Sequence, residues 1–337
     1  MRTTKGLSPT SLHLWENDRD EFYLKYLADN KRPDSGQTEA MAVGSAFDAY
    51  VKAALHKDLF GNDDGGKYSV DFLLLQQVDP VCMPFAIRAG KECLDCYVAC
   101  RCYDELLRDM EKSTKTPRFE FTLYGEAGGV PLMGKPDCWY HNTVDVTLDW
   151  KVEGFCSAHP TSPKKLHKTC RDTWVPSDTL KATRGGGEPK PHKDYLEMDH
   201  HGHTIGSHWL EDVDKKWADQ IAIYSWLLGM PVGDEKTVTC IDQLACKPNP
   251  LQGTEERLHP LIRVAQHRCR ISPEWQLSLL GRLQSCWASL QTGHIFDELP
   301  RSESDERCEL LDMQIYSSGG GEQDELWAMM NERQYRG

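Results

Sequence analysis

From Pro117 onward the apolar residues stop recurring at helical spacing and begin to alternate with polar ones, and that switch constrains the fold more than any other feature of the chain. Phe119, Phe121 and Leu123 form one alternating run, Val130 to Tyr140 a second and Val144 to Val152 a third. They predict three consecutive strands joined by tight turns, the first at Gly125 to Gly129 and the second near His141-Asn142. Helical spacing holds on both sides. Upstream, Ser8-Pro9 opens a capped helix bearing Leu12, Trp15, Phe22, Tyr23 and Tyr26. A second helix covers about Thr38 to Leu55, and residues 85 to 110 are helical too. Downstream, Asp212 to Leu228 carries Trp217, Ile221, Tyr224 and Leu228 in helical register before Gly229. A strand over Thr237 to Ala245 follows, and Ser272-Pro273 begins a helix that stops at Gly293. Strands bracketed by helices in this order predict an α/β domain built on a central mixed sheet.

The 337 residues include 39% hydrophobic side chains, enough for a sizeable core. No apolar run reaches the ~20 residues of a membrane span, and Met1 to Ser8 lacks the apolar stretch of a secretory signal, so a cytoplasmic protein with no membrane partner is expected. In that reducing setting the thirteen cysteines read as free, mostly buried thiols. A formal charge of −13 argues against a protein that coats nucleic acid, yet leaves room for a local basic groove.

Chemistry concentrates on the predicted hairpin strands. Gly134-Lys135-Pro136-Asp137 lies on the second, and Asp149-Trp150-Lys151 on the third. Two residues apart on a strand, Asp149 and Lys151 share one face, while Leu148 and Trp150 take the other. Carboxylates and an ammonium on one sheet surface suit phosphodiester cleavage. The carboxylates are hard ligands for Mg²⁺ or Mn²⁺, which polarises the phosphate and acidifies its water, and the lysine orients the water or offsets developing charge.

These motifs resemble the PD-(D/E)XK nucleases, in the branch of RecB-like and phage recombination exonucleases. That branch has an aromatic first helix, a Gly-x-x-x-His helix, Gly-x-x-Asp, Asp-x-Lys and a helical Gln-x-x-x-Tyr, in that order. Here the matching positions fall within residues 8 to 250 and end in Gln220-Ile221-Ala222-Ile223-Tyr224. The resemblance implies a restriction-endonuclease-like αβββαβ core with accessory helices, and a metal-dependent DNA exonuclease of recombination or repair. Asp137, Asp149 and Lys151 would be its catalytic centre, with Gln220 and Tyr224 positioning the nucleophile or a phosphate. Where the branch carries histidine this chain reads Gly44-Ser45-Ala46-Phe47-Asp48, so the third ligand role passes to Asp48, a hard donor that favours Mg²⁺ or Mn²⁺. Gly44 would let that helix approach the sheet closely, and Glu120 on the first strand is a weaker ligand candidate. Two alternatives stay open: a structure-specific endonuclease of the same fold, and a DNA-binding or partner-binding module that has lost activity. Related phage exonucleases form rings, so a homo-oligomer is conceivable.

Other clusters have plainer readings. Cys93, Cys96 and Cys100 follow i, i+3, i+7 spacing with Cys102 beyond, which is a buried helix face rather than an iron–sulfur motif, and Cys240, Cys246, Cys269, Cys286 and Cys308 are too dispersed for one. His192, His200, His201, His203 and His208 lack structural-zinc spacing and read as a polar loop. Residues 154 to 208 form an irregular insertion. Within 164 to 193, eight basic side chains (Lys164, Lys165, Lys168, Arg171, Lys181, Arg184, Lys190, Lys193) face three acids, a local balance of +5. Following directly on Lys151, this segment is expected to track DNA phosphates. One domain would then span 1 to 316. Residues 317 to 337 form a Gly-rich linker and a tail with Trp327, Met329 and Met330 that could dock a single-strand annealing protein.

Overall fold

Capping side chains set most of the helix boundaries. In the computed structural model, which describes residues 4–29, 36–61, 66–153, 168–170, 180–181, 190–191, 209–235, 238–246 and 262–313, α1 (Pro9–Asn17) starts at a reciprocal Ser8–Ser11 cap with Pro at its first turn. The first helix does not continue to Tyr26 as expected. Asp18 leaves helical geometry and caps a short α2 (Arg19–Phe22), which passes into a π turn over Tyr23–Leu27. Thr38 caps α3 (Glu39–Phe60), and α4 (Val70–Gln77), not anticipated from the sequence, starts at Ser69. The predicted helix over 85 to 110 is two: α5 (Met83–Ala99) and α6 (Cys102–Glu111), parted by Arg101 at φ 58°, a left-handed conformation an α-helix cannot contain.

The strands follow. β1 (Lys115–Phe119) is succeeded by β2 (Leu123–Ala127) and β3 (Val130–Gly134), an antiparallel hairpin turning at Gly128-Gly129, both with positive φ. The single strand predicted from Val130 to Tyr140 breaks at Lys135–Asp137, because Pro136 has no N–H to give a ladder. β3 therefore stays with β2, while β4 (Cys138–His141) pairs with β1 and with β5 (Asp145–Glu153). The expected irregular insertion contains three short strands, β6 (Lys168–Cys170), β7 (Leu180–Lys181) and β8 (Lys190–Pro191), the last two paired with each other. Then come α7 (Leu210–Val213), α8 (Lys215–Leu227), β9 (Val238–Cys246), β10 (Ile262–Cys269), α9 (Pro273–Thr292) and α10 over 301–313.

The main sheet has the order β1-β4-β5-β9-β10-β6. Its pairs are antiparallel except β5 with β9, which the intervening α8 crossover makes parallel. The sheet is thus mixed and flanked by helices on both faces. On one face Val43, Phe47 and Val51 of α3 pack with Cys93, Cys96 and Tyr97 of α5 and with Leu148 and Trp150 of β5. On the other, Ile221 of α8 and Leu279 and Leu283 of α9 pack with Ile241 of β9, Trp15 of α1 and Phe22 of α2. Each large side chain so buried contributes roughly 1.5–3 kcal/mol. The α5 cysteines are core, as their spacing predicted, and Cys96 Sγ lies 3.8 Å from the Ile262 carbonyl. The ten cysteines whose side-chain surroundings are described are free thiols. No helix among the described residues is long and apolar enough to cross a membrane.

Close helix approach falls at a different glycine from the one expected. A Cβ on Gly44 would meet Val152 at 3.9 Å, an ordinary contact, whereas one on Gly90 would lie 2.7 Å from Ala46 Cβ and 2.8 Å from its backbone. Gly90 is what lets α5 touch α3. Glycine to alanine inside a helix ordinarily stabilises by up to ~1 kcal/mol. Gly90→Ala is expected to destabilise instead, by about 1–3 kcal/mol from overpacking. Urea denaturation checks the sign, and a stabilised variant would contradict this packing.

Candidate functional site

Three stretches far apart in sequence meet around β5. Asp149 and Lys151 project from the face that also carries Ile241 of the neighbouring strand, the face covered by α8. The two-residue spacing brings Lys151 Nζ to 2.6 Å from Asp149 Oδ2. From α8, Gln220 spans both partners: its Nε2 donates to Asp149 Oδ1 at 2.9 Å, and its Oε1 accepts from Lys151 Nζ at 2.8 Å. The second Nε2 proton goes to Tyr224 Oη, one turn on, at 3.0 Å. One amide therefore commits both its N–H donors and its carbonyl oxygen to holding the carboxylate, the ammonium and the phenol in a fixed relation. Tyr224 fits because Gly134 has no side chain; a Cβ there would lie 2.7 Å from the Tyr224 ring.

Asp137 occupies the break between β3 and β4. Its Oδ2 accepts the Trp150 backbone N–H at 3.0 Å, which ties it to β5 beside Asp149, and its carbonyl accepts the Glu120 N–H at 3.0 Å. Glu120 is not on the first strand as expected. It lies just past the end of β1 at φ 46°, a conformation costing a non-glycine residue roughly 1–3 kcal/mol and typical of functional sites. Its carboxylate is held there by Lys135 and Gln77.

Lys52, which sequence reasoning missed, lies among these acids. It stands one turn beyond Asp48 on α3, is 1% exposed, and places its Nζ 2.6 Å from Asp48 Oδ2, 3.4 Å from Asp137 Oδ1 and 3.6 Å from Glu120 Oε2. The signal was present in the sequence: a lone lysine between Val51 and Ala53 on a helix whose neighbouring positions are small or apolar, four residues from an aspartate. The site thus has two lysine-centred halves. Asp48, Glu120 and Lys52 lie toward α3, while Asp149, Lys151, Gln220 and Tyr224 lie toward α8, with Asp137 between them.

Burial governs the electrostatics. It pushes Asp48 and Asp149 up to about 7, with repulsion from Asp137 adding to it and the adjoining lysines pulling back. Burial works against the charge on Lys52 and Lys151, but the carboxylates around them outweigh it and both are raised. Tyr224 is pushed up chiefly by burial, so its hydroxyl stays protonated.

The donor chemistry suits a hard divalent cation: Asp48, Glu120, Asp137 and Asp149 offer carboxylate oxygens, and Asp48 Oδ1 is buried with no hydrogen-bond partner. These carboxylates are nevertheless drawn onto the two ammonium groups, and among the described residues no three Asp, Glu, His or Cys side chains converge as metal ligands do. Of the basic segment, Lys168 and Lys181 fall on β6 and β7. Lys164, Lys165, Arg171, Arg184 and Lys193, together with the histidine cluster and the 317–337 tail, lie outside the described residues.

Removing the bridging amide has a specific cost. Gln220→Leu strips a partner from both a buried carboxylate and an ammonium, and is expected to destabilise by about 1–3 kcal/mol; Tyr224→Phe removes one neutral hydrogen bond and costs about 0.5–1.5 kcal/mol. Chemical denaturation of both variants checks the order, and a Gln220→Leu protein as stable as wild type would contradict it.

No family model matches the chain, and no curated protein matches it in sequence. Solved structures that align with it include a putative exonuclease from Eubacterium rectale, at 12% identity and a TM-score of 0.41 over 89% of each chain. Another is SSO0001, at 12% identity and a TM-score of 0.24 over 82% of this chain and 85% of that one. Likeness at these TM-scores is too loose to carry a fold family or an activity over to this chain.

Proposed function

We propose that the chain is a metal-dependent deoxyribonuclease of the PD-(D/E)XK type that hydrolyses DNA phosphodiester bonds as an exonuclease, in recombination or repair. The observation that carries this reading is the Gln220 bridge, which joins the Asp-x-Lys strand to the Gln-x-x-x-Tyr helix beside Asp137. The reading is also supported by the succession of a helix, strands β1, β4 and β5 paired antiparallel, a crossover helix and the parallel strand β9, with the β2–β3 hairpin inserted.

In the reaction a water oxygen attacks phosphorus and the bond to the departing sugar oxygen breaks. A Mg²⁺ or Mn²⁺ ion held by Asp137 and Asp149, with Asp48 and Glu120 at hand, would supply Lewis-acid polarisation of the phosphate. Lys151 donates to the attacking water or to the phosphate oxygen on which charge grows, and Gln220 fixes its direction. Tyr224, kept protonated, acts as a hydrogen-bond donor rather than a base. The basic segment from Lys164 to Lys193 guides the backbone.

The test is cleavage of end-labelled linear duplex and closed circular DNA with Mg²⁺, Mn²⁺ or EDTA. Wild type should degrade linear DNA alone and only with metal, and Lys151→Ala should slow it at least about 100-fold, as expected for loss of a transition-state donor. Cutting of the closed circle would make it an endonuclease. The lack of three converging ligands among the described residues favours a second reading, a catalytically silent DNA-binding module, and binding without cleavage under every metal would establish it.

A further inference from the structure

Lys52 has no part in the reaction above, yet its side chain is the least exposed of the charged groups in the site. Its ammonium stands among Asp48, Glu120 and Asp137 at 2.6, 3.6 and 3.4 Å and is 1% exposed. The i, i+4 relation on α3 fixes it against Asp48, so the pair is set by the helix backbone, and the Trp150 ring lies 6.0 Å away. Carboxylates gathered in a poorly solvated place need a positive partner, and here one is supplied by the chain itself.

We propose that Lys52 is a resident cation of the carboxylate cluster, and that the site takes up a divalent metal only as the Lys52 ammonium leaves it. This rests on the metal-nuclease reading and goes beyond it. A hard divalent ion binds carboxylate oxygens at about 2.0–2.6 Å, so one taken up by Asp48 Oδ2 and Asp137 Oδ1 would stand beside an ammonium 2.6 and 3.4 Å from the same oxygens, and the two cations repel each other. Charge counting agrees. Ionised, the four carboxylates face the ammonium groups of Lys52, Lys135 and Lys151, leaving one net negative charge, too little to hold a dication strongly until one ammonium withdraws. Lys151 is the wrong one to withdraw, because Gln220 and Asp149 both bind it. Lys135 is half-exposed and touches only Glu120 among the four acids. Lys52 touches three of them, and its departure frees Asp48 Oδ2 and Asp137 Oδ1, beside the Asp48 Oδ1 that already lacks a partner, while Glu120 stays with Gln77 and Lys135. The metal-free protein is thereby stable, and metal occupancy becomes an exchange of one cation for another.

The experiment is titration of Mn²⁺ into DNA-free protein by calorimetry, comparing wild type with Lys52→Met and Lys52→Gln, alongside melting temperatures in EDTA and in Mn²⁺. Both variants should bind Mn²⁺ at least tenfold more tightly than wild type. They should melt lower than wild type in EDTA and gain more from Mn²⁺, and a variant that folds only with Mn²⁺ supports the exchange equally. General damage to the site would weaken binding, so a gain in affinity is specific to removal of a competitor. Equal or weaker binding by variants that fold, with wild type still binding, would overturn the role of Lys52 and leave the nuclease reading intact. If no protein, wild type included, binds Mn²⁺ at millimolar concentration, the metal reading falls and this inference with it.

Discussion

Carboxylates repel one another unless something positive stands among them, and here four of them crowd one region of the central sheet. The structure answers with two lysines from different elements, Lys52 buried and Lys151 partly so. Lys151 shares its strand with Asp149, and Lys52 reaches in from α3 to Asp48, Asp137 and Glu120. In so poorly solvated a place each pair is held by mutual need: removing either sign strands the other. The backbone adds constraints that water could not, since Asp137 is pinned by the Trp150 N–H and Glu120 by a left-handed turn just past β1.

The scaffold supplies the rigidity that such an arrangement requires. α3 packs against both the sheet and the neighbouring α5, whose Gly90 allows backbone contact at Ala46, so Asp48 and Lys52 are carried on a helix with little freedom to shift. α8 is likewise packed on the opposite face through Ile221 and its neighbours, and presents Gln220 to the strand it crosses over to flank. The two halves of the site therefore belong to two hydrophobic layers, and Asp137, in the break that Pro136 makes, is where they meet.

Local patterns made much of this legible. Alternation over 119–152 marked the strands, Ser-Pro pairs at Ser8 and Ser272 marked helix starts, and Asp-x-Lys spacing placed Asp149 and Lys151 on one face. What escaped depended on contacts between distant residues. The hairpin of β2 and β3 looks like part of a continuous meander until Pro136 is seen to cut the ladder. Glu120 reads as a strand residue because positive φ leaves no mark in a single sequence. β10 and α4 gave no distinct period. Lys52 is marked locally only by its apolar helix neighbours and by Asp48 one turn back, and its place in the site emerges when Glu120 and Asp137, from other segments, are found around it.

The central claim is that these carboxylates form one cation site spanning both halves, which anomalous diffraction from crystals soaked in Mn²⁺ tests directly. A single strong peak within about 2.0–2.6 Å of oxygens of Asp137, Asp149 and Asp48, with Lys52 Nζ displaced, is the predicted result. A map with no peak there, and Lys52 still against Asp48 and Asp137 at saturating Mn²⁺, would contradict it.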